Sequence, residues 1–418
     1  MKQRNYRNLM QNVVITFLSV SAVLLFMQTQ LTSLVLPGSY DESARAASPT
    51  ISAAPAEVLT APVRAAVTGA YGRYSGVTLT TASESFADPL GRRLLEALGS
   101  ARDYTACAGE DFLRALEGPS LYYDFWEPLP LSVLAALLGG GEETAPREDL
   151  SARRLLIVPQ DSGTILYLWD GGDACFRAAT AVSADSLSQV ISLYEVDGTS
   201  FALDGQEELD PCSLLPGAAP ELPAFAMGTP LASTDWLLSA LGFHPRSQTR
   251  HTESNGTELI MDGDRVLRIR PDGSVYYQSG DEPALQITTA GETPTLREAA
   301  LGAGSLLGGL IDPVSGEAQL YLQNLRRNGD TVVLRFGYQA AGVPVCFQDN
   351  GFAAEVTLTG NAVTALTLRF RQYNPLEEAS LLLPLPQALA VAASSPGTEL
   401  FIGYAERNGE CRACWLCD

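Results

Sequence analysis

Three cysteines near the end of the chain form the motif Cys411-x-x-Cys414-x-x-Cys417, within "CRACWLCD". Thiolates at this spacing can share a zinc ion or an iron–sulfur cluster. A structural zinc site needs four ligands, and the sequence has no separate C-x-x-C or histidine pair to complete the set. These cysteines are therefore only weak candidates for a metal site. The alternative is a terminal strand with incidental cysteines, and the sequence predicts no cofactor.

Ser-His-Asp or Cys-His catalysis would have to use His244 or His251, because the sequence has no other histidine. His244 precedes a proline in "GFHPR", and His251 lies in "QTRHTES", at the predicted start of a strand. Neither context is typical of a catalytic loop. Lys2 is the only lysine, which excludes Schiff-base or Ser-Lys chemistry elsewhere in the chain. With 48 acidic residues, the sequence does not exclude a pair of carboxylates that could catalyse glycoside hydrolysis. No such pair stands in a recognisable motif. We therefore expect a protein that is not an enzyme.

A long uncharged stretch near the N-terminus predicts a membrane anchor. No charged residue occurs between Arg7 and Asp41, and Val13–Met27 is almost entirely apolar. A bilayer core about 30 Å thick needs roughly 20 helical residues, so we expect a transmembrane helix at residues 12–34. A cleaved signal would have a shorter apolar region and an earlier small-x-small site.

The charges that flank this stretch predict its orientation. Lys2, Arg4 and Arg7 precede the span, and only Arg45 follows within the range over which such charges act. The positive-inside rule then places residues 1–11 in the cytoplasm as a short tail. We expect a single-pass protein of the cell membrane, with the bulk of the chain extracytoplasmic.

Small residues inside the predicted span have two interpretations. Thr16, Ser19 and Val23 lie on one side of the helix and could contact a transmembrane helix of a partner, because small polar residues let helices pack closely in lipid. The alternative is a plain anchor that tolerates such residues.

The charge balance of the chain excludes some partners. The 27 basic residues are outnumbered by 48 acidic ones, which gives a net charge of −21. Nucleic acids and anionic lipids both require a basic footprint. We therefore expect no nucleic-acid partner.

The sequence predicts the α+β class. An N-terminal transmembrane helix is followed by several domains that each combine helices with an antiparallel meander. The clearest meander pattern is "TELIMDGDRVLRIRPDGSVYYQSG", which alternates around two Asp-Gly turns. Thr295 and Glu298 predict a capping box at the start of a helix. Five prolines in residues 205–230 indicate a linker. The predicted divisions are a stalk at 35–62, an N-terminal α+β domain at 63–225, a middle helix-meander domain at 226–294 and a C-terminal helix-meander domain at 295–418.

Several stretches resemble the YycH/YycI-type regulators of Gram-positive bacteria. "LYYDFWEPLPLSVLAALL" is similar to the strand and helix of their first domain, and "LLSALGFHPRSQTRHTESNGTELIMDGDRVLRIRPDGSVYYQ" to their helix and meander. "LRFRQYNPLEEASLLLPLPQALA" and Trp415, near the end of the chain, are similar to their final segment. The cysteine-rich end and the alanine-rich stalk depart from the family pattern.

The resemblance implies a regulatory function without catalytic residues. Proteins of this family modulate a sensor histidine kinase of a cell-wall two-component system by contact through their transmembrane and outer parts. The expected partners are therefore that kinase and, as a second candidate, a related single-span regulator. The alternatives are an extracytoplasmic cell-wall hydrolase, which two facing carboxylates in a pocket would favour, and a module that binds wall polymer or peptide.

Overall fold

The structure, a computed structural model, describes residues 50–51, 64–77, 87–141, 144, 146, 150–161, 163–228, 231, 234–244, 246–311, 313–349 and 351–418. The predicted tail and anchor, including Thr16, Ser19 and Val23, lie outside these residues. So does the predicted stalk apart from residues 50–51. Within the described ranges, no helix combines the length and the apolar composition that a membrane crossing requires.

The strands before residue 216 are β1 (Thr50–Ile51), β2 (Arg64–Thr68), β3 (Tyr74–Val77), β4 (Arg102–Ala106), β5 (Ser120–Pro130), β6 (Ser151–Gln160), β7 (Gly163–Trp169), β8 (Cys175–Thr180), β9 (Ser200–Phe201) and β10 (Leu214–Leu215). Strands β2 to β8 form a seven-stranded sheet in the order β3-β2-β5-β6-β7-β8-β4. Every neighbouring pair in this N-terminal sheet is antiparallel. Strands β9 and β10 pair separately.

The strands after residue 216 are β11 (Pro223–Gly228), β12 (Thr249–Thr252), β13 (Glu258–Asp262), β14 (Arg265–Ile269), β15 (Ser274–Gln278), β16 (Gln286–Ile287), β17 (Gln319–Asn328), β18 (Thr331–Ala340), β19 (Val343–Cys346), β20 (Ala354–Thr359), β21 (Ala362–Arg369), β22 (Gln372–Ala379), β23 (Leu400–Arg407) and β24 (Glu410–Cys417). With β1 they form one fifteen-stranded sheet, ordered β12-β13-β14-β15-β21-β20-β18-β19-β23-β24-β11-β22. Strand β17 pairs with β18, and β16 joins β1 to β21.

The helices of the described residues are α1 (Arg92–Ser100), α2 (Gly109–Leu116), α3 (Leu131–Leu137), α4 (Ala184–Ile191), α5 (Asp235–Ala240), α6 (Leu296–Ile311) and α7 (Leu385–Ala392). A π-helical turn (Ala87–Gly91) precedes α1. The predicted α+β class, with mostly antiparallel sheets, is thus confirmed. Helix α2 covers one face of the N-terminal sheet, whereas α1, α3 and α4 contribute to the apolar core on the other face.

The predicted meander consists of β13, β14 and β15, and its two turns lie where the sequence places them. Gly263 and Gly273 have φ angles of 66° and 83°, a conformation that residues with a Cβ rarely adopt. The Asp272 carboxylate also accepts the backbone N–H of Ser274 at 2.9 Å, which fixes the second turn. Local turn chemistry therefore sets the register of these strands.

Strands from the predicted middle and C-terminal domains belong to the same sheet. Val275 of β15 lies opposite Leu368 of β21, so the ladder continues from one predicted domain into the other. Helix α3 of the N-terminal part packs against α6. Leu134 and Leu307, one from each of these helices, belong to the same buried apolar cluster. A continuous core therefore joins all three predicted domains.

The interpretation of residues 205–230 as a linker is wrong. This stretch contains β10, and its last part forms β11, which lies between β22 and β24 in the large sheet. Phe225 of β11 is buried against Tyr373 and Tyr404. The prolines misled the prediction because Pro223 lies at the first position of the strand, where a missing N–H is tolerated.

Candidate functional site

A row of charged side chains crosses the N-terminal sheet. Arg64 of β2 lies opposite Asp124 of β5, and Asp124 lies opposite Arg154 of β6. Directly opposed residues of antiparallel strands point to the same face, so these three side chains lie next to each other. The row continues with Trp169 of β7 and Cys175 of β8. The guanidinium carbon of Arg154 lies 5.3 Å from the ring centre of Trp169, which is a cation–π geometry.

Asp124 is the centre of a network of charges that is mostly buried. Its side chain has no solvent exposure, and its Oδ2 lies 2.8 Å from Arg64 Nη2. The other carboxylate oxygen accepts Arg153 Nε at 3.2 Å, and the Tyr122 hydroxyl donates to Oδ2 at 3.2 Å. Arg154 Nε approaches the same carboxylate at 3.8 Å, and Arg154 is also fully buried. An unpaired charge here would cost several kcal/mol, and these contacts offset that cost.

Two acidic residues from distant parts of the chain complete the network. Glu399, just before β23, forms ion pairs with Arg64, with Arg153 and with Arg154. Asp210 accepts Arg154 Nη2 at 3.0 Å. The three arginines and three carboxylates (Arg64, Asp124, Arg153, Arg154, Asp210 and Glu399) are called the charge cluster below. The cluster is formally neutral, and it connects the N-terminal sheet to the large sheet through Glu399.

The electrostatic environment keeps the central carboxylate ionised. Burial alone would raise the pKa of Asp124, but the charges of Arg64, Arg153 and Arg154 together lower it below its ordinary value. Burial likewise opposes the charge of Arg64, and the carboxylates of Asp124 and Glu399 raise its pKa above the ordinary value. A carboxylate whose pKa is lowered in this way cannot donate a proton near neutral pH. The geometry therefore suits a structural connection better than acid–base catalysis.

A cavity of about 330 Å³ adjoins the charge cluster at Arg64. Its walls come from both sheets and from residues 214–222, and they include Leu222, Val343 and Phe401. The Arg64 guanidinium carbon lies 5.6 Å from the ring centre of Phe401. The volume lies at the lower end of the range for small-molecule sites. Mostly small and apolar residues line the cavity, and Asp197 is the one acidic residue among them. The cavity therefore does not provide the two facing carboxylates that a glycoside hydrolase requires.

The cysteines of the C-terminal motif lie on β24, which pairs with β23 without a bulge. Successive residues of a strand point to opposite faces, so Cys414 faces away from the side that Cys411 and Cys417 share. Cys411 is buried and Cys417 is exposed. The three sulfurs therefore do not converge. In the part of the chain that the structure describes, no three His, Cys, Asp or Glu side chains are grouped as metal ligands.

The two histidines lie apart from the charge cluster. His251 belongs to the exposed edge strand β12. The backbone N–H of His244 donates to Asp262 Oδ2 at 3.0 Å, while its side chain is exposed. Among the described residues, neither histidine side chain is hydrogen-bonded to a serine or cysteine side chain.

The sequence interpretation missed the charge cluster, although part of its signal is visible. Asp124 interrupts the apolar run "SLYYDF", and two adjacent arginines open "RRLLIVPQ". A charge inside an apolar strand is almost never buried without a partner, so each of these residues predicts one. The identity of Glu399 as that partner has no local signal, because 246 positions separate it from Arg153.

Comparisons with known proteins support the fold. No protein-family profile matches the chain, and no curated protein matches it by sequence. Among solved structures, the chain is similar to the crystal structure of YycH from Bacillus subtilis, with a TM-score of 0.57 and 13% sequence identity. The similarity covers 87% of this chain and 94% of that chain. The protein therefore has a YycH-like fold.

Proposed function

We propose that this protein is a membrane-anchored extracytoplasmic regulator, which modulates a sensor histidine kinase of a cell-wall two-component system by direct contact. The observation that carries the proposal is the similarity to the YycH structure, which extends over nearly the whole length of both chains. A similarity over 87% of this chain extends across residues of both sheets rather than over a single motif. The charge cluster agrees with this proposal, because its three carboxylates are paired with arginines, and those of Asp124 and Glu399 are buried.

The proposed location follows from the N-terminal sequence. Residues 12–34 would anchor the protein, and Lys2, Arg4 and Arg7 would keep the tail in the cytoplasm. Thr16, Ser19 and Val23 would then form the face that contacts a transmembrane helix of the kinase. A related single-span regulator is a second candidate partner on the same face.

The proposed mechanism is a shift in the population of kinase states. A partner that binds one conformational state more tightly than another moves the equilibrium by the difference in its two binding free energies. The outer part of this protein suits that role because the core and the charge cluster connect its two sheets. If the kinase contacted one sheet, the second sheet would help to hold that contact surface in place.

The test compares chains that differ only in their anchor. Cells that lack the gene would receive the full chain, or a chain with residues 8–36 replaced by an unrelated transmembrane helix. The replacement retains Lys2, Arg4 and Arg7, so the orientation is preserved. We expect the full chain to change transcription from a promoter that the two-component system controls, and the replacement to lose most of this effect.

Controls separate the loss of contact from the loss of the protein. Immunoblotting would verify equal amounts, and protease added to cells without a wall would verify that the body is outside. A triple variant, Thr16→Leu, Ser19→Leu and Val23→Leu, would test the predicted face alone. Identical promoter activity with and without the gene would refute the kinase proposal.

A further inference from the structure

Two cysteines at the end of the cross-strand row lie close enough to react with each other. The Sγ atoms of Cys107 and Cys175 are 2.9 Å apart. A disulfide bond measures roughly 2.04 Å, so the sulfurs need to approach by only about 0.9 Å. We propose that Cys107 and Cys175 form a disulfide bond, which attaches the edge strand β4 covalently to β8. The charge cluster, at the other end of the row, takes no part in this bond.

The backbone places Cys107 and Cys175 opposite each other, which is the register that a disulfide bond between them requires. Ala106 lies opposite Phe176, and the next residues outward are Cys107 and Cys175, whose backbones are joined by an N–H···O bond of 2.9 Å. Directly opposed strand residues have Cα atoms about 4.5–5.5 Å apart, within the range that disulfides require. The bond could thus form without a rearrangement of the sheet.

The turn before Cys175 restricts its position further. The carboxylate of Asp170 accepts the backbone N–H of Gly172 at 2.7 Å and that of Ala174 at 3.2 Å. The backbone N–H of Asp170 in turn donates to the carbonyl of Ala174 at 3.1 Å. The Trp169 indole N–H also donates to the carbonyl of Gly172 at 2.8 Å. Since the turn is fixed at several points, Cys175 stays opposite Cys107.

The other cysteines are placed less favourably for pairing. Cys346 lies on β19 and Cys414 on β24, with β23 between these strands. Cys411 faces the opposite side of β24 from Cys414. Cys212 is fully buried beside the charge cluster. The geometry therefore selects one pair among the seven cysteines.

The chemistry requires an organic disulfide as the oxidant. The partly exposed Cys107 would attack the oxidant as a thiolate, form a mixed disulfide and release one thiolate of the oxidant. Burial raises the pKa of the Cys175 thiol, so Cys175 is the poorer first nucleophile and acts second. Its thiolate attacks Cys107 Sγ and displaces the second thiolate of the oxidant. Two cysteine thiols lose two protons and two electrons, and the oxidant is reduced to two thiols.

The proposed bond would stabilise a weakly held part of the N-terminal sheet. Strand β4 is an edge strand, and its pairing with β8 is interrupted by a bulge between Arg102 and Thr105. Asp103, within the bulge, has a φ of 56°. A cross-link between positions 68 apart in sequence also restricts the unfolded chain, which favours the folded state.

The test is a thiol count and a peptide map on the full chain in detergent. The protein would be equilibrated with a mixture of oxidised and reduced glutathione or with dithiothreitol, and then denatured in the presence of N-ethylmaleimide. We expect the oxidised sample to bind two fewer maleimides than the reduced sample, and to yield a proteolytic fragment that joins Cys107 to Cys175. The thermal midpoint of the oxidised protein should exceed that of the reduced protein by at least about 3 °C.

Variants assign the effect to this pair. Cys107→Ser should abolish the difference between oxidised and reduced midpoints, whereas Cys417→Ser, at an exposed cysteine, should retain it. Seven alkylated cysteines after oxidation, or a cross-link between other positions, would overturn the proposal, and the peptide map gives this answer without any variant. Because a glutathione buffer sets the redox potential, the result is independent of the proposed membrane location and kinase contact.

Discussion

Arg153 and Glu399 form a salt bridge across 246 positions of sequence, and through it the N-terminal sheet is joined to the beginning of β23. Both side chains are mostly buried, and Arg153 also donates to Asp124 at 3.2 Å. Replacing one partner of such a pair leaves an uncompensated charge, which costs far more than an exposed ion pair contributes. The contribution of the charge cluster to stability can therefore be tested one residue at a time.

Asp124→Asn should be strongly destabilising. The substitution removes the charge that Arg64, Arg153 and Arg154 share, and we expect a loss of about 3–5 kcal/mol in the free energy of unfolding. The matched control is Asp235→Asn, which breaks the exposed pair with Arg250 and should cost no more than about 1 kcal/mol. Urea denaturation of both variants gives the comparison, and equal losses would show that the charge cluster has no special role.

The contribution of Asp124 should also depend on pH. Its pKa in the folded protein is lowered, so the unfolded chain, with a pKa of about 3.9, takes up the proton first as the pH falls. The stabilisation is fully present above that value and is lost as the pH drops towards the folded-state pKa. We therefore expect the difference in unfolding free energy between wild type and Asp124→Asn to be constant above about pH 5 and to shrink below about pH 3.9. Carboxyl groups outside the charge cluster cancel in this difference, so a constant value down to pH 2 would contradict the expectation.

Two glycines of helix α6 should respond in opposite ways to alanine. A Cβ at Gly302 would lie 2.8 Å from Cγ2 of Ile287, so the close packing of α6 on β16 must give way. We expect Gly302→Ala to cost about 1–3 kcal/mol. Gly309 is exposed and has no atom within 4 Å of the added Cβ, so Gly309→Ala should stabilise the protein by about 0.5–1 kcal/mol. Thermal unfolding of the two variants measures both signs, and a shift in the same direction would count against this packing argument.

The start of α6 offers a test of the capping box. The backbone N–H of Glu298 donates to Thr295 Oγ1 at 3.1 Å, and the backbone N–H of Thr295 donates to Glu298 Oε2 at 2.8 Å. Thr295→Ala should remove the first bond and cost about 1 kcal/mol. Thr295→Ser retains the hydroxyl and should be close to wild type in urea denaturation. If serine and alanine were equally destabilising, the methyl group rather than the hydroxyl would be responsible.

Local chemistry explains which parts of the fold could be predicted from sequence. The capping box at Thr295 and the turns at Gly263 and Gly273 depend on residues within a few positions of each other, and the structure contains all of them. The pairing of β15 with β21 has no such local signal, because tertiary packing decides which strands meet. For this reason the sequence suggested separate middle and C-terminal domains, whereas their strands share a sheet.

In the charge cluster, too, some features have a local sequence signal and others depend on tertiary packing. Asp124 and Arg154 stand out in sequence as charges within apolar strands, and this alone predicts that each needs a partner. Their alignment in one row depends on the registers of β5 and β6, and the contribution of Glu399 depends on how the two sheets pack. The local sequence pattern determines neither the strand registers nor the packing of the sheets.

The position of β11 has a consequence for biosynthesis. Residues 223–228 find their neighbours only when β22 and β24 are present, and these strands begin far later in the chain, at Gln372 and Glu410. On the ribosome, β11 must therefore remain unpaired until the residues up to β24 have been added. We expect the nascent polypeptide to stay sensitive to proteases and dependent on chaperones until the hairpin of β23 and β24 emerges.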